Sequence, residues 1–389
     1  MRKKQQIYTY ICLGISLIGL SACTKNHTEK TSEQQKANQI QESQNENTNE
    51  KVTENDSESI SEQENITENT IDSNQNQKNT AAVDVRKVNG DIIYRSGYDL
   101  AGDSNPELMQ LIEQNMDQIQ SLNGRSSRYT VYIKNLNDPE KMAYISNWSP
   151  AHNQFSASTI KLFILISVFQ KFADGSLDKQ DLYKLKQKDV VEGSGVMQYD
   201  PIGTEYTLEQ LCELMISKSD NVATNVLIDE VGGFDAVNKV IASLYGPDHY
   251  SNLERKMMDT SNIENGKSNR INAKEAGETL LKLYQGDVIS NSVDTEMLKL
   301  LTQTENKTKL PSLLPANAIV YNKTGESNYR GIENDIALIE INGQVFVICC
   351  LSELNGDDEE PEDSTYEEDI SQVKAIAGVG KDVTDWMIN

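Results

Sequence analysis

Apolar and polar positions divide the chain into three stretches. A mostly apolar run fills residues 7–20, residues 24–80 are almost wholly polar, and a patterned region runs from about residue 105 to the C-terminus. In the patterned region, Asn105-Pro106-Glu107 opens a helix whose Leu108, Leu111, Ile112, Met116, Ile119 and Leu122 share a face, with Gly124 as its stop. Residues 129–136 and 142–148 read as strands about an Asn-Asp-Pro turn. Residues 158–172 are apolar on nearly every side, as a buried central helix would be. Thr207 with Gln210 makes a capping box for a helix to residue 217. Helices over 222–231 and 234–244 flank Gly232-Gly233. After an irregular polar stretch over 246–271, Asn272 with Glu275 caps another helix that ends at Gly286. Strands follow over 318–325, 331–341 and 344–351, the last two joined by an Asn342-Gly343 hairpin turn. A final helix covers 370–387. Two strands, a helical middle and three strands predict an α/β (α+β) domain. Its five-stranded antiparallel sheet is joined from both chain ends, flanked by helices, with an all-helical lobe beside it.

The other two stretches change the domain picture. Arg2, Lys3 and Lys4, the apolar run and Leu20-Ser21-Ala22-Cys23 have the layout of an export signal over 1–23. Residues 24–80 hold twelve acids against five lysines, with no aromatic, Gly or Pro. Too little apolar surface is available there to offset the entropy of ordering, so 24–82 reads as a disordered linker. Residues 83–104 are a lead-in and 105–389 the folded domain. The signal resembles that of bacterial lipoproteins, which implies lipidation at Cys23 and a chain anchored to the outer face of the cell membrane. Cys212, Cys349 and Cys350 remain, too few and too apolar in setting for a disulfide framework.

Charge and histidine content narrow the chemistry. With 60 acidic against 36 basic residues and a net charge of -24, the chain has no phosphate-binding footprint for nucleic acid. Its three histidines (His27, His152 and His249) supply neither a histidine metal cluster nor a Ser-His-Asp triad well. No metal or organic cofactor site is expected, and a monomer is. Nine acids within 357–369 read as a solvated loop without calcium-ligand spacing.

Three short patterns then occur in order: Ser158-Thr159-Ile160-Lys161, Ser219-Asp220-Asn221 and Lys323-Thr324-Gly325. The first alone is uninformative, because Ser176-Leu177-Asp178-Lys179 matches it in a surface turn. Their order and settings (a helix start, a loop after a helix, a strand end) suit convergence on one cleft. Ser158 and Lys161 lie one turn apart on a helix face. A serine hydroxyl needs a base. A lysine serves if burial and nearby cations lower its pKa, and Ser-Lys pairs are a known substitute for Ser-His-Asp.

With these motifs, the chain over about 105–389 resembles the penicillin-recognising serine enzymes, most closely the class A β-lactamase family. The resemblance implies that Ser158 attacks a β-lactam carbonyl to form an acyl-enzyme, with Lys161 as base and Ser219 as proton relay. Asn221 would hold the substrate amide and Lys161. Lys323, Thr324 and Gly325 would bind the substrate carboxylate, with Arg330 as a further candidate. Backbone N–H groups of Ser158 and Glu326 would form the oxyanion hole. The departure lies in the family's Glu-x-x-Leu-Asn pattern, whose glutamate drives deacylation. Aligned on Arg255, that position holds Met257, with Glu254, Asp259 and Glu264 as the nearby acids. The resulting expectation is a serine β-lactamase-like hydrolase whose acyl-enzyme turns over weakly. The alternatives are a penicillin-binding peptidase-like hydrolase acting on peptidoglycan-like peptides and a non-catalytic cell-surface lipoprotein.

Overall fold

A computed structural model describes residues 84–88, 91–95, 98–119, 121–122, 125–148, 153–354 and 362–389. The export signal, Cys23, the 24–82 linker, His27 and His152 lie outside these residues. The chain enters through a two-residue strand β1 (Tyr98–Asp99), helix α1 (Pro106–Met116) and strands β2 (Arg128–Asn135) and β3 (Met142–Ser146). The helical middle comprises α2 (Lys161–Ala173), α3 (Leu208–Ser217), α4 (Asn221–Glu230), α5 (Phe234–Tyr245), α6 (Ala273–Gln285) and α7 (Asn291–Thr302). Strands β4 (Ile319–Ser327), β5 (Ile332–Ile341) and β6 (Gln344–Glu353) and helix α8 (Tyr366–Ile388) complete it.

The sheet order is β4-β5-β6-β2-β3-β1, antiparallel throughout. The expected five strands are present, and the lead-in adds the short sixth. Asp99 ties down that lead-in by accepting the amides of Ala101, Gly102 and Ser104. The β5–β6 turn uses Asn342 and Gly343 at φ 51° and 79°, which suits the right-handed twist of the strands.

Period-two alternation sends neighbouring residues to opposite faces, and both faces are covered. Val131, Ile133, Ile348 and Cys350 pack under α1 and α8, whereas Tyr132, Val347 and Cys349 face the helical side. Burial on both faces explains the nearly continuous apolar runs of these strands. The three described cysteines are free and buried, and burial pushes their thiols up into inertness.

Three sequence expectations need correction. The first helix stops at Met116, continued by a 3-10 turn Asp117–Ile119, so Leu122 belongs to a two-residue strand rather than to the helical face. The irregular stretch 246–271 contains a short helix Thr260–Glu264 and a strand pair joining Arg270–Ile271 to Gln154–Phe155. The acidic segment is partly helical: Thr365 and Glu368 form a capping box, and Glu367, Glu368 and Asp369 sit in the first turn of α8, where the helix dipole favours them.

Candidate active site

Ser158 stands in a 3-10 turn, Ala157–Ile160, that feeds directly into α2. The turn is sharp because Ala157 takes φ 43°, a left-handed conformation that costs a non-glycine residue about 1–3 kcal/mol and persists only when its surroundings enforce it. The enforcement is visible. Ser156 donates its amide to the Asn269 carbonyl, and its own carbonyl accepts from Thr159. Asn334 of β5 reaches across to the carbonyls of Phe155 and Ser156 at 2.8 and 3.3 Å. Behind the turn runs β4. A Cβ on Gly325 would lie 2.7 Å from the Ser156 carbonyl and 2.9 Å from the Ser158 amide. Only glycine allows this approach of strand to helix start.

Lys161, one turn further on, is fully buried among apolar side chains of α2. Its side-chain nitrogen lies in hydrogen-bonding contact with Ser219 O at 2.7 Å, Ser219 Oγ at 3.1 Å and Asn221 Oδ1 at 3.0 Å. Lys323 donates to the same Ser219 Oγ at 3.0 Å and to the Thr324 carbonyl at 2.9 Å. One hydroxyl thus lies between two amines from different elements. Burial, then the Lys323 charge, holds Lys161 well below the usual lysine range, despite Asp220 and Glu326. Burial also lowers Lys323, to about 8, with Glu326 opposing and Lys309 assisting. The lysine three residues after the serine is thereby suited to act as a neutral base. The second lysine keeps a cationic form in the neutral range.

The Ser219 loop is held from below. Ser219 takes φ 53°, and Asp220 caps α4 through the Ala223 amide. The other oxygen of Asp220 accepts the Val196 and Met197 amides. Gly195 makes this possible: its φ is 106°, and a Cβ there would fall 2.2 Å from Asp220 Oδ2. The Ser194 carbonyl accepts the Asn221 amide, so the 193–195 turn fixes the orientation of Asn221.

The three motifs therefore converge, and Ser158, Lys161, Ser219, Asn221, Lys323, Thr324 and Gly325 line one site. Arg330 lies apart from that hydrogen-bonded cluster. It has φ 68°, and its guanidinium stacks over Phe155 at 4.8 Å. Three residues of consequence were not read from the sequence. Asn334 braces the nucleophile turn. Asn225, one turn along α4 from Asn221, clamps Met257 from both sides: it accepts the Met257 amide at 2.7 Å and donates to its carbonyl at 3.1 Å. Lys309, fully buried behind Gly325, pairs with Glu326 at 2.8 Å and Glu333 at 2.6 Å. Each is a single polar residue without a local motif, so only contacts distant in sequence reveal it.

The nearby acids are committed elsewhere. Glu254 accepts from Asn252 and the Ser268 amide, and Asp259 caps the helix Thr260–Glu264, on which Glu264 is exposed. Met257 packs into the helical-side core.

The chain matches the β-lactamase enzyme family over residues 112–387. The β-lactamase ROB-1 of Haemophilus influenzae is 27% identical over 229 residues, covering 58% of this chain and 72% of the relative. Among solved structures, a β-lactamase from Sphaerobacter thermophilus superposes with a TM-score of 0.58 at 26% identity, over 70% of this chain and 96% of that one. A mutant of PBP-A, solved as an acyl-enzyme complex with penicillin G, shares the fold with a TM-score of 0.59 at 22% identity, over 72% and 97%. With the Ser158 turn, the buried lysine and the strand-end lysine assembled on this fold, the chain belongs to the β-lactamase enzyme family, as a serine β-lactamase-like hydrolase.

Proposed function

We propose that the protein captures β-lactams as a Ser158 ester and releases them slowly. Ser158 Oγ bonds to the lactam carbonyl carbon while its proton passes to the neutral Lys161 amine. The oxyanion forms at the backbone N–H groups of Ser158 and Glu326. As the carbon–nitrogen bond breaks, Ser219 donates its proton to the ring nitrogen and is reprotonated from Lys161. Lys323 feeds the same hydroxyl and, with Thr324 and Gly325, faces the substrate carboxylate. Asn221 orients Lys161 and the substrate amide. Arg330 is a further carboxylate candidate from the strand end. The penicillin acyl-enzyme of a structural neighbour supports the substrate class.

The observation that carries slow release is the two-way Asn225 clamp on Met257. It holds a thioether at the loop position where the family resemblance places the deacylating glutamate, and a thioether cannot take a proton from water. The same observation favours a penicillin-binding peptidase-like enzyme as the second reading. The N-terminal sequence supports export, a lipid anchor at Cys23 and a 24–82 tether carrying the domain over 105–389.

Intact-mass measurement after mixing with benzylpenicillin tests the reading, with Ser158→Ala as control. A penicilloyl adduct that persists after free penicillin is removed is expected, with none on the alanine variant. An adduct that clears within seconds would overturn slow release. Absence of any adduct, with benzylpenicillin and with its methyl ester alike, would overturn acylation itself.

A further inference from the structure

The surroundings of Glu326 set a limit on what the site accepts, given the acyl-enzyme reading above. Glu326 follows the Lys323-Thr324-Gly325 motif on β4, two residues beyond Thr324 and so on the same face of the strand. Its carboxylate accepts from Lys309 Nζ at 2.8 Å and from Asn306 Nδ2 at 2.8 Å, and the nearby Thr324 hydroxyl helps to stabilise its charge. The strand face expected to hold a substrate carboxylate thus already carries one belonging to the chain. Lys309 is closed off from other anions. Its remaining contacts are Glu333 and the carbonyls of Asn334 and Gly325, and only 1% of its side chain is exposed. By contrast the Glu326 side chain is 34% exposed and borders solvent.

The electrostatics agree. Partial desolvation pushes Glu326 up, but Lys309 and Lys323 outweigh it and keep the carboxyl ionised. Two lysines face Glu326 from within, and Asp335, accepting from Asn322 and the Leu310 amide, lies on the neighbouring strand. A second carboxylate entering this space to reach Thr324 meets, on the same strand face, a like charge already paired with Lys309. The net charge of -24 adds no compensating attraction for anions.

We propose that the Glu326 side chain occupies the anion seat from within and selects acyl donors that are uncharged where penicillins carry their carboxylate.

The test compares acylation rates of Ser158 by benzylpenicillin and by its methyl ester, in the native protein, Glu326→Gln and Glu326→Ala. Gln keeps the size of the side chain and an acceptor for Asn306 or Thr324, and so guards against a folding defect in the alanine variant. Both variants are expected to raise the ratio of the free-acid rate to the ester rate about tenfold or more. In the native protein the ester is expected to react at least as fast as the acid. Equal effects on acid and ester, or a slower reaction with the acid alone, would overturn the inference while leaving the acyl-enzyme reading intact. No adduct with either compound in any of the three proteins would overturn both.

Discussion

At the scale of single residues, Met257 is the position that separates the two halves of the proposed acyl-transfer reaction. In the proposed reaction acylation uses Ser158, a neutral Lys161 and a proton relay at Ser219, whose hydroxyl lies within hydrogen-bonding distance of both Lys161 and Lys323. Deacylation needs water and a base, and the clamped loop position offers a methionine. Replacing Met257 by Glu is therefore expected to shorten the acyl-enzyme lifetime by about 10²-fold, the usual contribution of a general base, while acylation changes little. The decay of the penicilloyl adduct by intact mass measures this. An unchanged lifetime would show that the clamp does not aim this residue at the ester. The pattern residues Ser158, Lys161, Ser219, Asn221, Lys323 and Thr324 were legible because each motif is local and its chemistry follows from side-chain type. Lys309, Asn225 and Asn334 were not, because a lone lysine or asparagine usually lies in solvent.

At the scale of elements, the site depends on a strand packing against a helix start without an intervening side chain. The contact of β4 with the Ser156–Thr159 turn leaves no room for a methyl group at Gly325. Gly325→Ala is expected to cost roughly 1–3 kcal/mol of stability through overpacking. It should lower the acylation rate by about 10²-fold, since small displacements of a nucleophile are costly. Thermal melting and adduct formation check the two effects separately, and a variant with native values of both would refute the close-contact argument. Helix and strand types were mostly legible from periodicity, and the capping box at Thr207 and Gln210 is present in the structure. Helix α7 was passed over, although Ser290 caps it and Val293, Met297, Leu300 and Leu301 mark its inner face. The pair Gln154–Phe155 with Arg270–Ile271 has no such signal. Two-residue strands have no periodicity, and their partners lie more than a hundred residues apart.

At the scale of the whole molecule, the sheet buries acids on the side that supports the site. Burial pushes Glu333 up to about 7, against the pull of Lys309 and with help from Glu326. The folded carboxyl therefore keeps a proton that the unfolded chain has released, so its contribution to stability is present below about pH 4.5 and is lost as pH rises through 7. Glu333→Gln removes that slope. Relative to the native protein, the variant is expected to be more stable at about pH 8 than at about pH 5, by denaturant unfolding at the two values. A stability difference that is the same at both would contradict the assignment.

The amino-acid sequence by itself determined the α+β class, the order of the main strands and helices, the three short motifs with a serine and a lysine one turn apart, and the missing glutamate pattern. These follow from periodicity and from residue types within a few positions of one another. Only the tertiary structure decided that one serine hydroxyl lies between two lysines from different elements. It alone also showed that a loop methionine is gripped by α4 and that Glu326, on the strand face of the motif threonine, is bound by Lys309 and Asn306. Burial, charge coupling and close backbone approach arise from contacts between residues up to two hundred positions apart, and no local pattern encodes them.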